Sequence, residues 1–420
     1  MKIKFSIFVA INIILQTQNF TFPSNKSIYF QNIVNISKDS TDEIIVVDKS
    51  KQYLFVVKSY LDSPLAFVDS FRVTTGKNNG NKEREGDNKT PEGIYRIIGS
   101  IPGNQLPPLY GPIAYILDYP NFVDRIYGRT GSNIWIHGRD KEITNYQTKG
   151  CISLHNHSIL RLSKYIKLNK TLVLIQDTIH IVNEEKYQNI TNNWNKYLSS
   201  WAESWEKDTA SYFRYYSDKF RTKKFHNFKQ FKKYKRYLER IYNWKHIEIG
   251  EALVYQTKYE TQAEFYQEFI CPKFYSTGIK TIRMIPEENG WKIVNEDFSP
   301  IEPQVYIKDI VNKFVKEWIA AWESKDIEKY ITFYDTSFKA GEMNLNEWYN
   351  YKKRIFEKAR RIDISATNLN IVSPEKFIWK VTFIQRYKSK SYSDIGRKIL
   401  ILKGKPNSFK IIEEKWERIK

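Results

Sequence analysis

The sequence predicts a multidomain α+β protein, a mostly-β first domain followed by a duplicated α+β unit. Three observations predict it. Short β-branched and aromatic runs with Gly/Pro turns fill residues 43–177. Past Asn189 the pattern changes to helical periodicity and charge. Within that second part the chain repeats itself, with Tyr212 matching Tyr330, a spacing of 118.

Composition bounds the answer. The 420 residues are 41% hydrophobic and 15% aromatic, which is enough apolar surface for real cores and excludes a largely disordered chain. Lys and Arg total 67 against 47 acidic residues, so the net charge of +20 points to a negatively charged partner or surface. The two cysteines, Cys151 and Cys271, cannot make a disulfide scaffold or a four-cysteine zinc site, but a catalytic thiol stays open.

The elements follow in order. The chain starts with MKIK and the apolar run Phe5–Leu15, the layout of a secretory signal and too short for a bilayer span. Residues 1–20 are therefore expected to be a signal peptide or an uncleaved anchor. The protein is expected to be exported to the periplasm of a Gram-negative bacterium, which argues against nucleic acid as the partner. Residues 42–177 form the first domain. Its strands are expected at Ile44–Asp48, Gln52–Lys58, Ile94–Gly99, Ala114–Tyr119, Asn133–Gly138 and Thr171–Asp177, with a long polar loop after Gly76. Many short strands and little helix suggest a β-sandwich or barrel.

The repeat then occupies residues 190–300 and 308–420. Trp205, Tyr212, Tyr216 and Phe220 match Trp322, Tyr330, Tyr334 and Phe338, and Gly290–Phe298 matches Ser408–Trp416. At helical spacing these aromatics read as core. Amphipathic helices followed by alternating strands resemble, in order, the nuclear-transport-factor-2-like (NTF2-like) α+β cone, a pocketed fold, here in two copies.

Chemistry concentrates in Asn133–Asn156. His137-Gly138 follows an apolar strand, and Gly150-Cys151-Ile152 comes fourteen positions later. A cysteine nucleophile needs a base in hydrogen-bond reach and backbone N–H groups aimed at the developing oxyanion. His137 can be the base, and Gly150, lacking a Cβ, lets the backbone approach. The intervening loop is long enough to fold Cys151 back beside His137.

His137, Gly138, Thr148, Gly150, Cys151 and Ile152 resemble the signature of the L,D-transpeptidase (YkuD-like) catalytic domain. Gly76, Gly86-Asp87 and Thr90-Pro91-Glu92-Gly93 fit a second block of that pattern, and IIVVDKSKQYLFVV looks like its first hairpin. The resemblance implies a mostly-β L,D-transpeptidase catalytic domain acting on peptidoglycan stem peptides, with no cofactor and no metal. Cys151 would be the nucleophile that attacks the L-diaminopimelate–D-alanine carbonyl. His137 would be the general base and Gly138 would orient it. Gly150 and the Cys151 amide would form the oxyanion hole. The family pattern has an arginine two residues after the cysteine, where this chain has Ser153. Lys149 or Arg139 would take over the substrate carboxylate, with Thr148 and Ser153 lining the site. The segment most resembles the cell-shape L,D-carboxypeptidases, which carry an NTF2-like domain after the catalytic one.

Four features remain. His155 and His157 could share a strand face as zinc ligands, but read better as polar loop residues. Cys271 reads as core, and a Cys151–Cys271 disulfide would abolish the nucleophile. Lys219–Arg240 holds ten Lys/Arg and one acid, Glu239. It suits an anionic wall polymer or a membrane surface, or is a helix with a solvated basic face. The alternative to an enzyme is a catalytically weak or inactive wall-binding scaffold.

Overall fold

A computed structural model describes residues 29–34, 43–60, 63–390 and 392–419. The expected signal, residues 1–20, lies outside them. Among the described residues no helix is long and apolar enough to cross a membrane.

Two short strands lead the described chain, β1 (Tyr29–Phe30) and β2 (Ile33–Val34). The first domain then holds β3 (Ile44–Asp48), β4 (Tyr53–Tyr60), β5 (Ser63–Arg72), β6 (Gly93–Pro102), β7 (Ile113–Leu117), α1 (Phe122–Ile126), β8 (Trp135–Arg139), β9 (Ile152–His155), α2 (Asn156–Leu162), β10 (Leu172–Gln176) and β11 (Ile181–Val182). Each strand expected from the sequence overlaps one of these. The eight long ones form one sheet in the order β5-β4-β3-β10-β6-β7-β8-β9. Past β5 the chain crosses to the far edge. Thr74 and Ser153 exchange backbone hydrogen bonds of 2.8 and 2.9 Å, and Thr148 N–H donates to the Thr75 carbonyl at 2.9 Å. The sheet thus closes on itself as a barrel, and the apolar core within it includes Val47, Val56, Ile97, Ile136, Ile152 and Val173.

Helices open each duplicated copy. The first has α3 (Glu184–Lys207), α4 (Thr209–Phe213) and α5 (Phe228–Ile241), then β12 (His246–Gln256), β13 (Thr261–Ile270), β14 (Phe274–Glu287) and β15 (Gly290–Pro300). α3 starts where the Asn183 side chain caps the Lys186 N–H, with Glu184 and Glu185 favouring the positive end of the helix dipole. Its Trp194, Leu198, Trp201 and Ala202 share one face and are buried. β16 (Val305–Tyr306) leads to the second copy: α6 (Ile307–Ser324), α7 (Ile327–Ile331), β17 (Tyr334–Ala340), β18 (Met343–Asn344), α8 (Leu345–Lys358), β19 (Ile362–Glu375), β20 (Ile378–Ser389), β21 (Ser393–Lys403) and β22 (Lys410–Arg418). The two sheets run β15-β14-β13-β12-β2 and β18-β17-β22-β21-β20-β19. β2 is an addition that the sequence did not announce. It comes from ahead of the first domain and pairs with β12, so the domains interlock.

The repeated aromatics are core, as expected, but their polar atoms form a buried cluster that recurs in both copies. In the first, Trp201 Nε1 donates to Tyr216 Oη at 3.3 Å, Tyr216 Oη bonds Tyr212 Oη and Glu296 (3.1 Å), and Lys280 pairs with Glu296 at 2.8 Å. In the second, Trp318 donates to Tyr334 at 3.0 Å, Tyr334 bonds Tyr330 and Glu414 (2.9 Å), and Lys398 pairs with Glu414. Lys235 and Lys352 face each cluster, 3.9 and 3.6 Å over the Trp205 and Trp322 rings. Burial pushes both amines down to about 7. The basic face is otherwise solvated, as one reading of the sequence expected. The helix begins only at Phe228, and its Lys235 turns inward while Lys229, Lys233, Arg236 and Arg240 stay exposed.

Each copy docks the tip of a long hairpin on the domain before it. In the first copy the tip between β12 and β13 carries Tyr259 and Glu260 onto the barrel domain. In the second the tip carries Phe377, whose ring lies 5.8 Å from Trp244 and 5.1 Å from His246, while Lys376 pairs with Glu206 at 2.5 Å. Replacing Glu414 by Ala strands Lys398 without its anion. We expect a loss of about 3–5 kcal/mol, read from the midpoint of a denaturant melt, with Glu296→Ala acting similarly in the first copy.

Candidate active site

Three separated segments meet around Cys151 through one hydroxyl. Thr90 Oγ1 accepts the Gly76 N–H at 2.8 Å and donates to the Gly150 carbonyl at 2.9 Å. A Cβ on Gly76 would stand 2.4 Å from the Asn88 carbonyl, so that contact needs glycine. The 77–92 loop is itself held rigidly. Lys49 Nζ donates to the Gly80 and Thr90 carbonyls and to Glu92 (2.7, 3.1 and 2.8 Å). Asp87 accepts from Lys82 and from the Glu83, Arg84 and Lys89 amides. Against the upward push of burial, these donors hold the Asp87 carboxyl down at about 2.

β8 and β9 are parallel neighbours, with Ile136 opposite Ile152 and His137 opposite Ser153. The same register sets Trp135 beside Cys151. Trp135, His137, Cys151 and Ser153 therefore share one face of the sheet. The 140–151 loop folds Cys151 back next to the histidine strand, as its length suggested. His137 is buried, and its Nδ1 lies 2.8 Å from the Gly138 carbonyl. That bond puts the proton on Nδ1 and leaves Nε2 as the basic nitrogen. Gly138 has a steric duty as well, because a Cβ there would lie 2.5 Å from Asn156 Oδ1. The Tyr110 ring packs edge-on to His137 at 4.9 Å and against Trp135 at 5.2 Å. Nothing in the spacing singled out Tyr110, which arrives from the β6–β7 loop.

Cys151 is half-buried, and both cysteines are free thiols. Its Sγ lies 3.5 Å from the Asn133 carbonyl, the geometry of a thiol donor. Burial pushes the thiol above its usual range, opposed by the Trp135 backbone and the Lys82 charge. Burial lowers the His137 imidazole, with Arg139 adding to the effect and the Gly138 carbonyl opposing it. At neutral pH the resting pair is a neutral thiol and a neutral imidazole, suited to general-base activation.

The other expected residues separate. Gly150 has φ +134°, and its N–H donates to Thr148 Oγ1 at 3.1 Å. Thr148 Oγ1 in turn donates to the Cys151 carbonyl at 2.7 Å. Arg139 is held by Gln147 at 2.7 Å, while Lys149 is exposed. Ser153 is 1% exposed, its Oγ has no partner among the described residues, and its backbone closes the barrel. His155 ends β9 and His157 lies in α2. They straddle a strand–helix junction, not one strand face, with rings stacked at 5.6 Å. Cys271 is fully buried in the first copy's core.

A cavity of about 580 Å³ opens in the second copy, walled by Trp322, Trp348, Tyr387 and Trp416 with Lys352 among its lining. Two of its polar atoms, the Trp322 indole nitrogen and Gln385 Oε1, have no hydrogen-bond partner among the described residues. The corresponding space in the first copy, beside Trp205 and Lys235, is about 30 Å³.

Comparison with known proteins follows this division. Residues 42–175 match the L,D-transpeptidase catalytic domain (YkuD), and 193–297 and 310–415 each match the Cds6 C-terminal NTF2-like domain. Over 142 residues the sequence is 28% identical to YafK of Escherichia coli K12, a candidate L,D-transpeptidase, covering 30% of this chain and 52% of YafK. The chain thus spans about half the length of the curated relatives it matches. Bd1075 of Bdellovibrio bacteriovorus aligns with a TM-score of 0.58 at 25% identity, over 66% of this chain and 100% of that one. The helical cell shape determining protein Pgp2 of Campylobacter jejuni aligns at 0.49 and 25% identity, over 64% and 94%.

The rate of Cys151 alkylation by iodoacetamide is expected to be low at pH 7 and still rising at about pH 9, above the ordinary thiol pKa of about 8.5. A plateau reached near pH 7 would contradict the resting neutral thiol.

Proposed function

Because the chain belongs to the L,D-transpeptidase (YkuD) family in its first domain and to the Cds6 C-terminal NTF2-like family in the two that follow, we propose that it remodels peptidoglycan stem peptides through a Cys151 thioester. The observation that carries this reading is the convergence of Gly76, Thr90 and Gly150-Cys151 beside a histidine whose Nδ1 is fixed by the Gly138 carbonyl.

His137 Nε2 takes the thiol proton, and Sγ attacks the carbonyl of the L-diaminopimelate–D-alanine bond. The N–H of Cys151 faces the developing oxyanion, joined by that of Gly150 when it leaves Thr148. D-Alanine departs as an amine carrying the proton returned by His137, and a thioester remains. Water then trims the peptide, or a second amine cross-links it; both use the same acyl-enzyme. With Ser153 buried, the cation for the substrate carboxylate comes from outside β9. Exposed Lys149 is the freer candidate and Arg139 is tied to Gln147. The N-terminal apolar run and the resemblance to cell-shape carboxypeptidases support a periplasmic role in wall organisation and cell shape. The exposed cations of α5 suit an anionic wall polymer or membrane surface.

A second reading is a wall-binding scaffold with little catalysis. The raised thiol and the aromatic cavity of the second copy favour it. One assay separates the two. Incubated with disaccharide tetrapeptide, the wild type should release D-alanine or form 3–3 dimers, and intact mass after acid quench should reveal the acylated chain. Cys151→Ala should do neither; identical profiles for both proteins leave the scaffold. If the enzyme reading holds, kcat/KM is still at its plateau at about pH 6.5, the ordinary imidazole value, and falls only at lower pH. The sign follows from His137, which must be neutral to accept the proton and whose lowered pKa keeps it neutral to a lower pH than usual.

A further inference from the structure

The first NTF2-like copy reaches into the barrel domain with one buried carboxylate, and that carboxylate sits on the segment leading to the catalytic strand. Glu260, at the tip between β12 and β13, is 4% exposed. Its Oε1 accepts the Ile94 N–H at 2.7 Å and Asn121 Nδ2 at 2.9 Å, and Oε2 lies 3.3 Å from the same nitrogen. A Cβ on Gly93 would stand 2.6 Å from Oε1, so a glycine makes room for a side chain from another domain.

Contacts continue from there towards Cys151. Asn121 is the N-cap of α1 and exchanges hydrogen bonds with Asp124, 2.8 Å one way and 3.0 Å the other. Asp124 pairs with Arg129 at 2.7 Å. The Arg129 guanidinium lies between two rings, Tyr127 at 4.7 Å and Tyr259, the neighbour of Glu260, at 4.8 Å. Tyr127 Oη donates to the Tyr259 carbonyl at 3.2 Å. Arg129 starts the run that includes Thr130, held by the Glu83 carbonyl and Tyr119 Oη, and Asn133, whose carbonyl takes the Cys151 thiol. β8 with His137 begins two residues later.

We propose that Glu260 is a positioning residue for the Cys151 site, holding the 121–133 segment through Asn121 and the Asp124–Arg129 pair. The mode of action rests on the acyl-transfer reading above only where turnover is measured. Two buried carboxyls, Glu260 and Asp124, share one cation, Arg129, with Asp118 and the Tyr95 phenol nearby. Burial, with Asp124 adding to it, pushes Glu260 up to about 8, against the donors that face it. A neutral side chain with the same acceptor therefore fits this site.

The test uses the full chain and three variants, Glu260→Gln, Glu260→Ala and Glu260→Asp, with melting curves to establish that each folds. Asp keeps the carboxyl group and shortens the reach, and it stands in if Ala fails to fold. The first readout is Cys151 alkylation by iodoacetamide across pH, which needs no substrate. The second is kcat and KM for D-alanine release. The Ala and Asp variants should shift the alkylation profile and lower kcat by about tenfold with KM within about twofold, as expected when a reacting group is misplaced and binding is intact. Gln should restore both readouts. Folded Ala and Asp variants with the wild-type alkylation profile overturn the proposal, as does a Gln variant that behaves like Ala. If the wild type itself releases no D-alanine, the acyl-transfer reading fails, and the alkylation profiles still decide the role of Glu260.

Discussion

The parallel pairing of β8 with β9 is the constraint on which the site depends. Parallel neighbours cannot be joined by a tight hairpin. The chain spends residues 140–151 on the crossover, and Cys151 arrives at the end of that loop, where a backbone can be bent sharply at Gly150. The pairing puts His137 and Cys151 on one face of the sheet. The free edge of β9 is then closed by Thr74 on Ser153, with Thr75 bonding Thr148 in the loop ahead of the strand. Ser153 thus lies buried beside that seam, at the position where the family pattern has an arginine.

Much of this was legible in the sequence, for physical reasons. Strand runs such as Ile44–Val47 and Leu172–Ile175 are continuously apolar because both faces are buried, and such runs stand out against polar loops. His137-Gly138 and Gly150-Cys151 were readable because local backbone geometry limits which residues fit. The duplication was readable because aromatic cores repeat at helical spacing. What escaped notice depends on distant partners. The Tyr212–Tyr216–Lys280–Glu296 cluster is assembled from two turns of one region and two strands of another. Glu260 looked like one acid among many, since its burial is created by a different domain. Tyr110 meets His137 only after the β6–β7 loop folds over. Lys235 read as one of ten cations, because a helix pattern gives the charge of a side chain more readily than the depth at which it sits.

The two copies also show how a fold can keep its frame and change its use. Both retain the aromatic–carboxylate–lysine cluster, which specifies a single packing because every buried polar atom in it constrains another. Yet the space beside it is nearly filled in the first copy and open in the second. Both copies commit a hairpin tip to the preceding domain, so the difference between them lies in this space.

That hairpin-tip contact has a further consequence, for growth. A tip that docks on the face of the domain before it is a head-to-tail interface, and such interfaces repeat without limit unless a member is altered. Glu206 bonds the Ile247 N–H in the first copy as Glu323 bonds the Ile364 N–H in the second, which aligns Trp244 and His246 with Arg361 and Asp363. The aromatic landing site has become a solvent-facing ion pair at 2.8 Å. An incoming aromatic tip would have to strip water from both charges there. The second copy thus lacks the aromatic landing site that the first copy offers to the tip that follows it.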